Sequence, residues 1–183
     1  MSVHDERSLL AGVQRLDPEA LNQTHETYYP VIYRYIVMKV GNHHAAEDLT
    51  SEVFVRLLSA VRDQRAPQNT LRGWLFRVAS IVVADYHRQR YRDRDVDWRS
   101  VDERSYMDPR QQTAKKEQVE ALHEALTELT DNQQEVIALR FGAGMAIRDV
   151  AMTMNKSEGA VKMLQARAVA ALSEQLAAWR SRA

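Results

Sequence analysis

Cysteine is absent from this chain of 183 residues, which excludes disulfide scaffolds, thiolate zinc sites and cysteine nucleophiles. Glycine and proline are scarce, with six and four residues, and no alternating apolar and polar run predicts a sheet. The best apolar runs, residues 31–40 and 78–84, are short or interrupted by charge, and the N-terminus is charged. We therefore expect neither a signal peptide nor membrane insertion.

A net charge of either sign is also lacking, because 25 basic residues balance 25 acidic ones. A neutral chain does not coat nucleic acid by bulk electrostatics, so any such contact must come from local patches. Hydrophobic residues make up 45% of the chain, which is enough to bury one medium core or two small ones. Frequent Ala, Leu, Arg, Glu and Gln favour helix, and the composition predicts an all-α protein.

Residues 148–167 predict a helix-turn-helix. Ala151 is small where two helices approach, Asn155 tolerates the left-handed backbone of a tight turn, and Ser157 can cap the second helix. An apolar seam at helical spacing would lock the pair in place, formed by Val150, Met154, Val161, Leu164, Ala168 and Leu172. The outward face of the second helix is expected to enter a DNA major groove. The alternative is an αα-hairpin in a helical bundle, without DNA contact.

Turn signals divide the chain into two small helical domains. In the first, residues 1–91, helices are predicted from Asp17 to Tyr28, after Pro30 to Val40, from about His44 to Val61, and from Leu71 to about Tyr91. Residues 92–112 mix aspartates with arginines, and Pro109 is expected to interrupt any helix, so this segment predicts a flexible, charged linker. Helices resume in the second domain, residues 113–183, at about 113–129 and 132–141, before the helix-turn-helix.

The helix predicted from Leu71 combines an aromatic start with a basic end. Guanidinium groups neutralise phosphates, and aromatic side chains stack on bases or wedge into an opening duplex, so this mixture favours nucleic-acid binding. The alternative places Trp74 and Phe76 in the core and leaves the arginines as a solvated helix end.

Histidines and acids at residues 43–48 are of metal-ligating types, but they lie at a helix start, where acids complement the helix dipole. The aspartates at 93, 95 and 97 lack the glycine and the final acid of a calcium loop. We therefore predict no metal site, no cofactor and no catalytic residues.

Taken together, these motifs resemble the extracytoplasmic-function (ECF) sigma factors of bacterial RNA polymerase, over nearly the whole chain. Residues 46–58 are similar to the polymerase-binding helix of that family, and residues 74–79 with 85–88 are similar to its promoter-melting helix. Residues 126–129 and 134–141, followed by Gly144, are similar to the entry to its second DNA-binding domain.

The resemblance implies a role for each motif. Core RNA polymerase would be bound through Asp48, Glu52, Phe54, Val55 and Arg56. In the minus-ten region, Gln68 and Asn69 would contact an unstacked base of the melted non-template strand, and the melting helix would supply Arg72, Trp74, Arg77, Arg88 and Arg90. In the minus-thirty-five region, duplex DNA would meet Ser157, Glu158, Gly159, Lys162, Met163 and Arg167.

The implied function is that of a cytoplasmic, non-enzymatic sigma factor, monomeric when free, that directs promoter recognition and transcription initiation. The resemblance also implies an anti-sigma factor as a partner, although no residue identifies one. A stand-alone, dimeric helix-turn-helix regulator is the alternative, but no heptad or spare apolar face marks a dimer interface. A helical adaptor without DNA contact is a third possibility.

Overall fold

A computed structural model of the chain describes residues 3–68, 70–93 and 109–181. Within these residues there are eight α-helices and one π-helical turn, and there is no β-strand. The first half comprises α1 (Val3–Gln14), α2 (Pro18–Val40), α3 (His43–Arg62) and α4 (Leu71–Asp93). The second half comprises α5 (Pro109–Thr127), α6 (Asp131–Ile137), the π-helical turn Ala138–Gly142, α7 (Ile147–Met154) and α8 (Glu158–Arg180). The predicted all-α class is confirmed.

The ends of α2 follow the sequence signals. The Asp17 carboxylate accepts hydrogen bonds from the backbone N–H groups of Glu19 and Ala20, at 2.9 and 3.0 Å, and Pro18 occupies the first turn. Gly41 ends the helix with a φ of 66°, a left-handed conformation that glycine adopts without strain.

Two expectations based on proline are wrong. The helices predicted on either side of Pro30 form one continuous helix, α2. Pro30 is exposed, so the backbone hydrogen bond that it removes lies on the solvent side, while Tyr28 and Ile32 keep the buried face continuous. Pro109 does not interrupt a helix but begins α5, where a missing N–H costs nothing. Of the predicted linker, residues 94–108 lie outside the described residues.

The sequence reading also missed α1. Leu9, Leu10 and Val13 of this helix are buried and belong to the main core. Charged residues precede this apolar set, so the segment looks like an unstructured N-terminus when composition alone is considered.

One hydrophobic core extends through both halves of the chain. It contains Ile32, Val53 and Phe76 from the first half and Leu139 and Val161 from the second. A smaller cluster, formed by Leu126, Leu129, Ile137 and Ala168, packs against Met38 of α2. The two predicted domains are therefore in direct contact, which the sequence does not predict.

Candidate nucleic-acid interface

The helix-turn-helix has the geometry that the sequence predicts. Asn155 ends α7 in the left-handed conformation, with a φ of 51°, and the Ser157 hydroxyl accepts a hydrogen bond from the Ala160 N–H at 3.2 Å. Ala151, Val150, Val161 and Ala168 are buried, and Met154, Leu164 and Leu172 pack against the core. The seam therefore holds α8 with its opposite face in solvent.

The exposed face of α8 has small side chains at its centre and basic side chains at its edges. Lys162 and Arg167 are both exposed and, at 100° per residue, lie about 140° apart around the helix axis. Gly159 and Ala166 lie between them, next to Met163, which is 56% exposed. Ser157 and Glu158 lie at the N-terminal end of this face. The backbone at the centre can therefore approach a ligand closely, while positive charge lies on both sides.

Sequence reasoning missed Arg140, in the π-helical turn. Its Nε donates to Gln165 Oε1 at 3.1 Å and its guanidinium also bonds the Met145 carbonyl. Arg140 and Gln165 line a shallow groove together with Lys162. The π-helical turn, closed by the bond from Ala143 N–H to the Ala138 carbonyl at 2.9 Å, directs this arginine towards α8. No periodicity in the sequence reports such a turn.

The four α4 arginines that the resemblance assigns to minus-ten DNA do not form one surface. Arg77 and Arg88 are exposed and lie within about 20° of each other around the helix, with Ile81, 44% exposed, between them. Arg72 lies about 140° from Arg77 and donates from Nη2 to the Ala143 carbonyl at 3.2 Å. Arg90 is on the same side as Arg72, so the predicted set separates into two pairs.

Aromatic residues on α4 have structural partners. Phe76 is fully buried and contacts Tyr35 edge-on at 5.5 Å between ring centroids, as the core alternative for this residue predicts. Trp74 is partly buried and packs against the same core. The Arg90 guanidinium carbon lies 5.9 Å from the centroid of the Tyr86 ring.

Asp85 reduces the positive charge of the Arg77 and Arg88 face. It accepts a hydrogen bond from Arg88 and lies 3.6 Å from the Arg56 guanidinium of α3. Hydrogen bonding by Arg88, with the charge of Arg56, lowers the pKa of Asp85 below its usual value. The carboxylate therefore stays ionised at neutral pH and connects α4 to α3.

The loop before α4 is fixed at Pro67. The Pro67 carbonyl accepts a hydrogen bond from Gln14 Nε2 of α1 at 2.7 Å. Gln68 is exposed, and its side-chain amide donates to the Ala66 carbonyl at 3.1 Å. Asn69 lies outside the described residues.

The predicted polymerase-binding residues lie on two sides of α3. Asp48, Glu52 and Val55 share an exposed strip, within about 60° around the axis, and Val55 is 59% exposed. Arg56 borders the strip and is paired with Glu52 at 2.6 Å. Phe54 points to the other side, where its ring lies 4.9 Å from His25 and 6.0 Å from Tyr29. No motif or spacing in the sequence singles out these two α2 residues.

Neither a metal centre nor a membrane span is found in the described part of the chain. Its residues form no group of three or more His, Cys, Asp or Glu that could hold a metal ion. His43, a ligand-type residue considered above, lies 2.7 Å from the Tyr33 hydroxyl through Nδ1. None of the described helices combines the length and the apolar character needed to cross a membrane.

Two family profiles match the chain. The profile described as Sigma-70 region 2 matches residues 24–93, and Sigma-70, region 4 matches residues 125–174. The ECF RNA polymerase sigma factor BldN of Streptomyces coelicolor is 34% identical over 173 residues, which cover 92% of this chain and 64% of BldN. The chain thus spans less than two thirds of that relative. The ECF RNA polymerase sigma factor SigD of Mycobacterium tuberculosis is 28% identical over 186 residues, covering 97% of this chain and 88% of SigD.

Solved structures share the fold. CnrH, in complex with the cytosolic domain of CnrY, has a TM-score of 0.73 at 22% identity, covering 94% of this chain and 97% of that one. RpoE of Bartonella quintana, in complex with the anti-sigma factor NepR, has a TM-score of 0.64 at 22% identity, covering 85% and 95%.

Proposed function

This chain belongs to the sigma-70 family of RNA polymerase sigma factors, and on that premise we propose that it binds core RNA polymerase and directs transcription initiation at specific promoters. One observation carries the proposal: a single chain presents an exposed recognition helix, a basic face on α4 and an acidic and apolar strip on α3. Such a factor is not an enzyme, and it would act in the cytoplasm, where the polymerase and its template are.

Core polymerase would dock on the α3 strip. Val55 supplies an exposed apolar centre, and Asp48 and Glu52 supply carboxylates for a basic partner surface. Phe54 would extend the same contact towards α2 through its cluster with His25 and Tyr29. Arg56, held by Glu52 and Asp85, would fix the orientation of the carboxylates.

Melted minus-ten DNA would follow the face of α4 that carries Arg77 and Arg88. These two cations would hold phosphates, while exposed Ile81 offers an apolar surface to an unstacked base. Gln68 and Asn69 would make the polar base contacts from the loop that Gln14 anchors. Trp74, partly buried and about 20° from Ile81 around the axis, borders this face. Arg72 and Arg90 lie apart from it and would reach DNA only after a rearrangement.

Duplex minus-thirty-five DNA would be bound by α8 in the major groove. Lys162 and Arg167, at the two edges of the face, are positioned for phosphates on opposite sides of the groove. Gly159 and Met163, near the centre, would face base edges, and the Met163 thioether suits a thymine methyl group. Ser157 and the backbone N–H groups of Glu158 and Gly159 would hold a phosphate at the helix N-terminus.

An anti-sigma factor would control the chain. CnrH and RpoE, whose fold it shares, were solved in complex with the cytosolic domain of CnrY and with the anti-sigma factor NepR. Free of polymerase, the chain would be monomeric and bind promoter DNA weakly, since affinity comes from linking two modest contacts through one scaffold.

In vitro transcription with purified core polymerase tests the proposal. We expect start sites that depend on the added chain, and Lys162→Ala and Arg167→Ala should reduce initiation while core binding persists. Glu174→Gln, an exposed α8 position about two turns beyond Arg167 along the helix, is the control. A chain that never joins core enzyme, or joins it without directing initiation, contradicts the proposal. Tight binding of a dimer to a palindrome without polymerase favours the stand-alone regulator, and unchanged transcription by both α8 variants favours the adaptor.

A further inference from the structure

The N-terminal helix α1 contacts the chain on both sides of the loop that precedes α4. On one side, Gln14 Nε2 donates a hydrogen bond to the Pro67 carbonyl at 2.7 Å. On the other side, the Glu6 carboxylate accepts a hydrogen bond from the Arg72 N–H of α4 at 3.3 Å. The partners in these two bonds lie 53 and 66 residues apart in sequence. A distant helix therefore holds both ends of the short segment that carries Gln68.

The packing of α1 makes it a fixed support for this segment. Leu9, Leu10 and Val13 are 4%, 6% and 0% exposed and belong to the main core. Gly12 lies so close to α2 that an added Cβ would be 2.5 Å from the Ala20 Cβ. Because protein interiors are close-packed, α1 cannot shift along α2 without losing these contacts. Groups that α1 holds are therefore positioned relative to the core.

The Glu6 contact fixes the start of α4. The first N–H groups of a helix have no partner within that helix, and a carboxylate beside them also complements the helix dipole. Thr70 Oγ1 accepts a hydrogen bond from the Gly73 N–H at 3.2 Å, and Glu6 accepts one from the Arg72 N–H. The first turn of α4 thus has a local cap and a second cap that comes from α1.

The Gln14 contact fixes the direction in which the chain enters Gln68. Pro67 is buried, and its carbonyl belongs to the peptide group that joins it to Gln68. A peptide group is planar, and the proline ring restricts the φ of Pro67 to about −65°. A hydrogen bond that holds this carbonyl therefore also orients the backbone N–H of Gln68, whose side chain is exposed.

We propose that Gln14 and Glu6 are positioning residues for base recognition in the melted minus-ten region, because they hold the loop in which Gln68 meets an unstacked base. The proposal rests on the proposed function, in which Gln68 contacts the non-template strand. Extruding a base from its stack costs free energy, and the contact that accepts the base must offset this cost. A loop that had to be ordered on binding would add its own entropic cost and weaken that contact. Anchoring by α1 removes this second cost before DNA arrives.

Substitutions can remove each hydrogen bond without disturbing the core, since Gln14 is exposed and Glu6 is only partly buried. Gln14→Met keeps the length of the side chain and removes the donor. Glu6→Gln keeps an acceptor oxygen, whereas Glu6→Ala removes it. Gln23→Met, at an exposed position of α2, is the matched control for Gln14→Met. Circular dichroism checks that every variant keeps its helices.

Base discrimination by the complex of the chain with core polymerase is the main readout. Single-stranded oligonucleotides of a non-template minus-ten sequence, taken from mapped start sites, carry each of the four bases in turn at every position. Gln68→Ala identifies the position that Gln68 reads, where specific contacts discriminate between bases about 5- to 150-fold. Gln14→Met and Glu6→Ala should each lower this ratio at least about fivefold, while Glu6→Gln and Gln23→Met should keep the ratio of the parent.

A double substitution separates positioning from a general loss of stability. Because Gln14 acts through Gln68, Gln14→Met should change the base preference no further in a Gln68→Ala background. Affinity for core polymerase should be the same in all of these variants. A general destabilisation would instead lower the affinity for all four bases alike and would add to the effect of Gln68→Ala.

Nuclear magnetic resonance of the free chain tests the geometry without polymerase. Gln14→Met should lower the backbone order parameter of Gln68 from about 0.85 towards 0.6, and Glu6→Ala should speed hydrogen exchange of the Arg72 amide. Unchanged dynamics at these two positions, full discrimination in Gln14→Met, or equal losses in Glu6→Gln and Glu6→Ala would overturn the proposal. A parent chain that never joins core, or shows no base preference at any position, contradicts the proposed function, whereas the dynamics of the free chain still test the anchoring by α1.

Discussion

Gly142→Ala is a steric test of the contact between the two halves. A Cβ at this position would lie 2.9 Å from Met38 Sδ, 3.2 Å from Tyr35 Cα and 3.3 Å from the Arg34 carbonyl oxygen. The sulfur can move, but the two backbone atoms move only with α2. Gly142 is not among the positive-φ residues of the described chain, so alanine fits its backbone without strain.

The free-energy cost of this added methyl group should weaken the docking of the two halves and leave the folding of each half intact. Overpacking of this kind costs about 1–3 kcal/mol, which shifts the docking equilibrium about 5- to 150-fold towards the open chain. Within the second half, the same change should stabilise by about 0.4–1 kcal/mol, because alanine restricts the unfolded chain. The substitution therefore disfavours docking of the two halves while it favours folding of the second half.

Calorimetry of the full chain separates these effects. Because one core extends through both halves, we expect the parent to unfold in a single cooperative transition and the variant to unfold in two. Gly159→Ala, whose added Cβ meets only the Ser157 hydroxyl at 4.0 Å, is the matched substitution and should raise stability without dividing the transition. A single transition in Gly142→Ala, at the midpoint of the parent, would refute the reasoning.

Three other outcomes are expected. Lys162→Ala and Arg167→Ala should each lower the slope of log affinity against log salt by about 0.9 in a promoter-binding assay of the polymerase complex, since each removes one phosphate contact; unchanged slopes would exclude the edge positions as phosphate contacts. Val55→Asp should weaken core binding at least about tenfold by placing a charge in the centre of the contact, and Glu174→Gln should not; equal affinities would move the docking surface elsewhere. Burial, followed by the charge of Glu6, raises the pKa of Tyr28 to about 12. The folded state then holds this proton more tightly than the unfolded state does. The stability that Tyr28 gains in this way is therefore complete below pH 10 and is lost as pH rises from about 10 to 12. Circular dichroism against pH should show this loss, and Tyr28→Phe should reduce it; identical alkaline profiles would contradict the assignment.

Local signals in the sequence were sufficient for the helix-turn-helix. Asn155 and Ser157 are each determined by the few residues around them, since a left-handed turn and a helix cap need no distant partner. The all-α class follows from composition and periodicity for the same reason. The roles assigned to individual residues on α3, α4 and α8 stay predictions.

Features that depend on tertiary context were not accessible from the sequence. Pro30 remains inside α2 because the buried face on either side of it is continuous, and no local rule reports that burial. Arg72 looks like any other cation of a basic helix until the second half of the chain brings the Ala143 carbonyl to it. Arg140 reaches Gln165 only because the π-helical turn adds a residue to the helix. Each of these depends on residues that are far apart in sequence or on a backbone irregularity without a periodic signature.

The small residues at the centre of the α8 face have an evolutionary consequence. In the proposed contact with duplex DNA, Gly159 and Ala166 would leave room beside the bases, so one nucleotide change in the gene would add a side chain there without disturbing the buried seam or the cations at the edges. If that contact forms as proposed, new target sequences would be acquired by gain of a contact, with general affinity for duplex retained throughout. A lineage that carries such a helix can diversify its set of controlled genes in single steps.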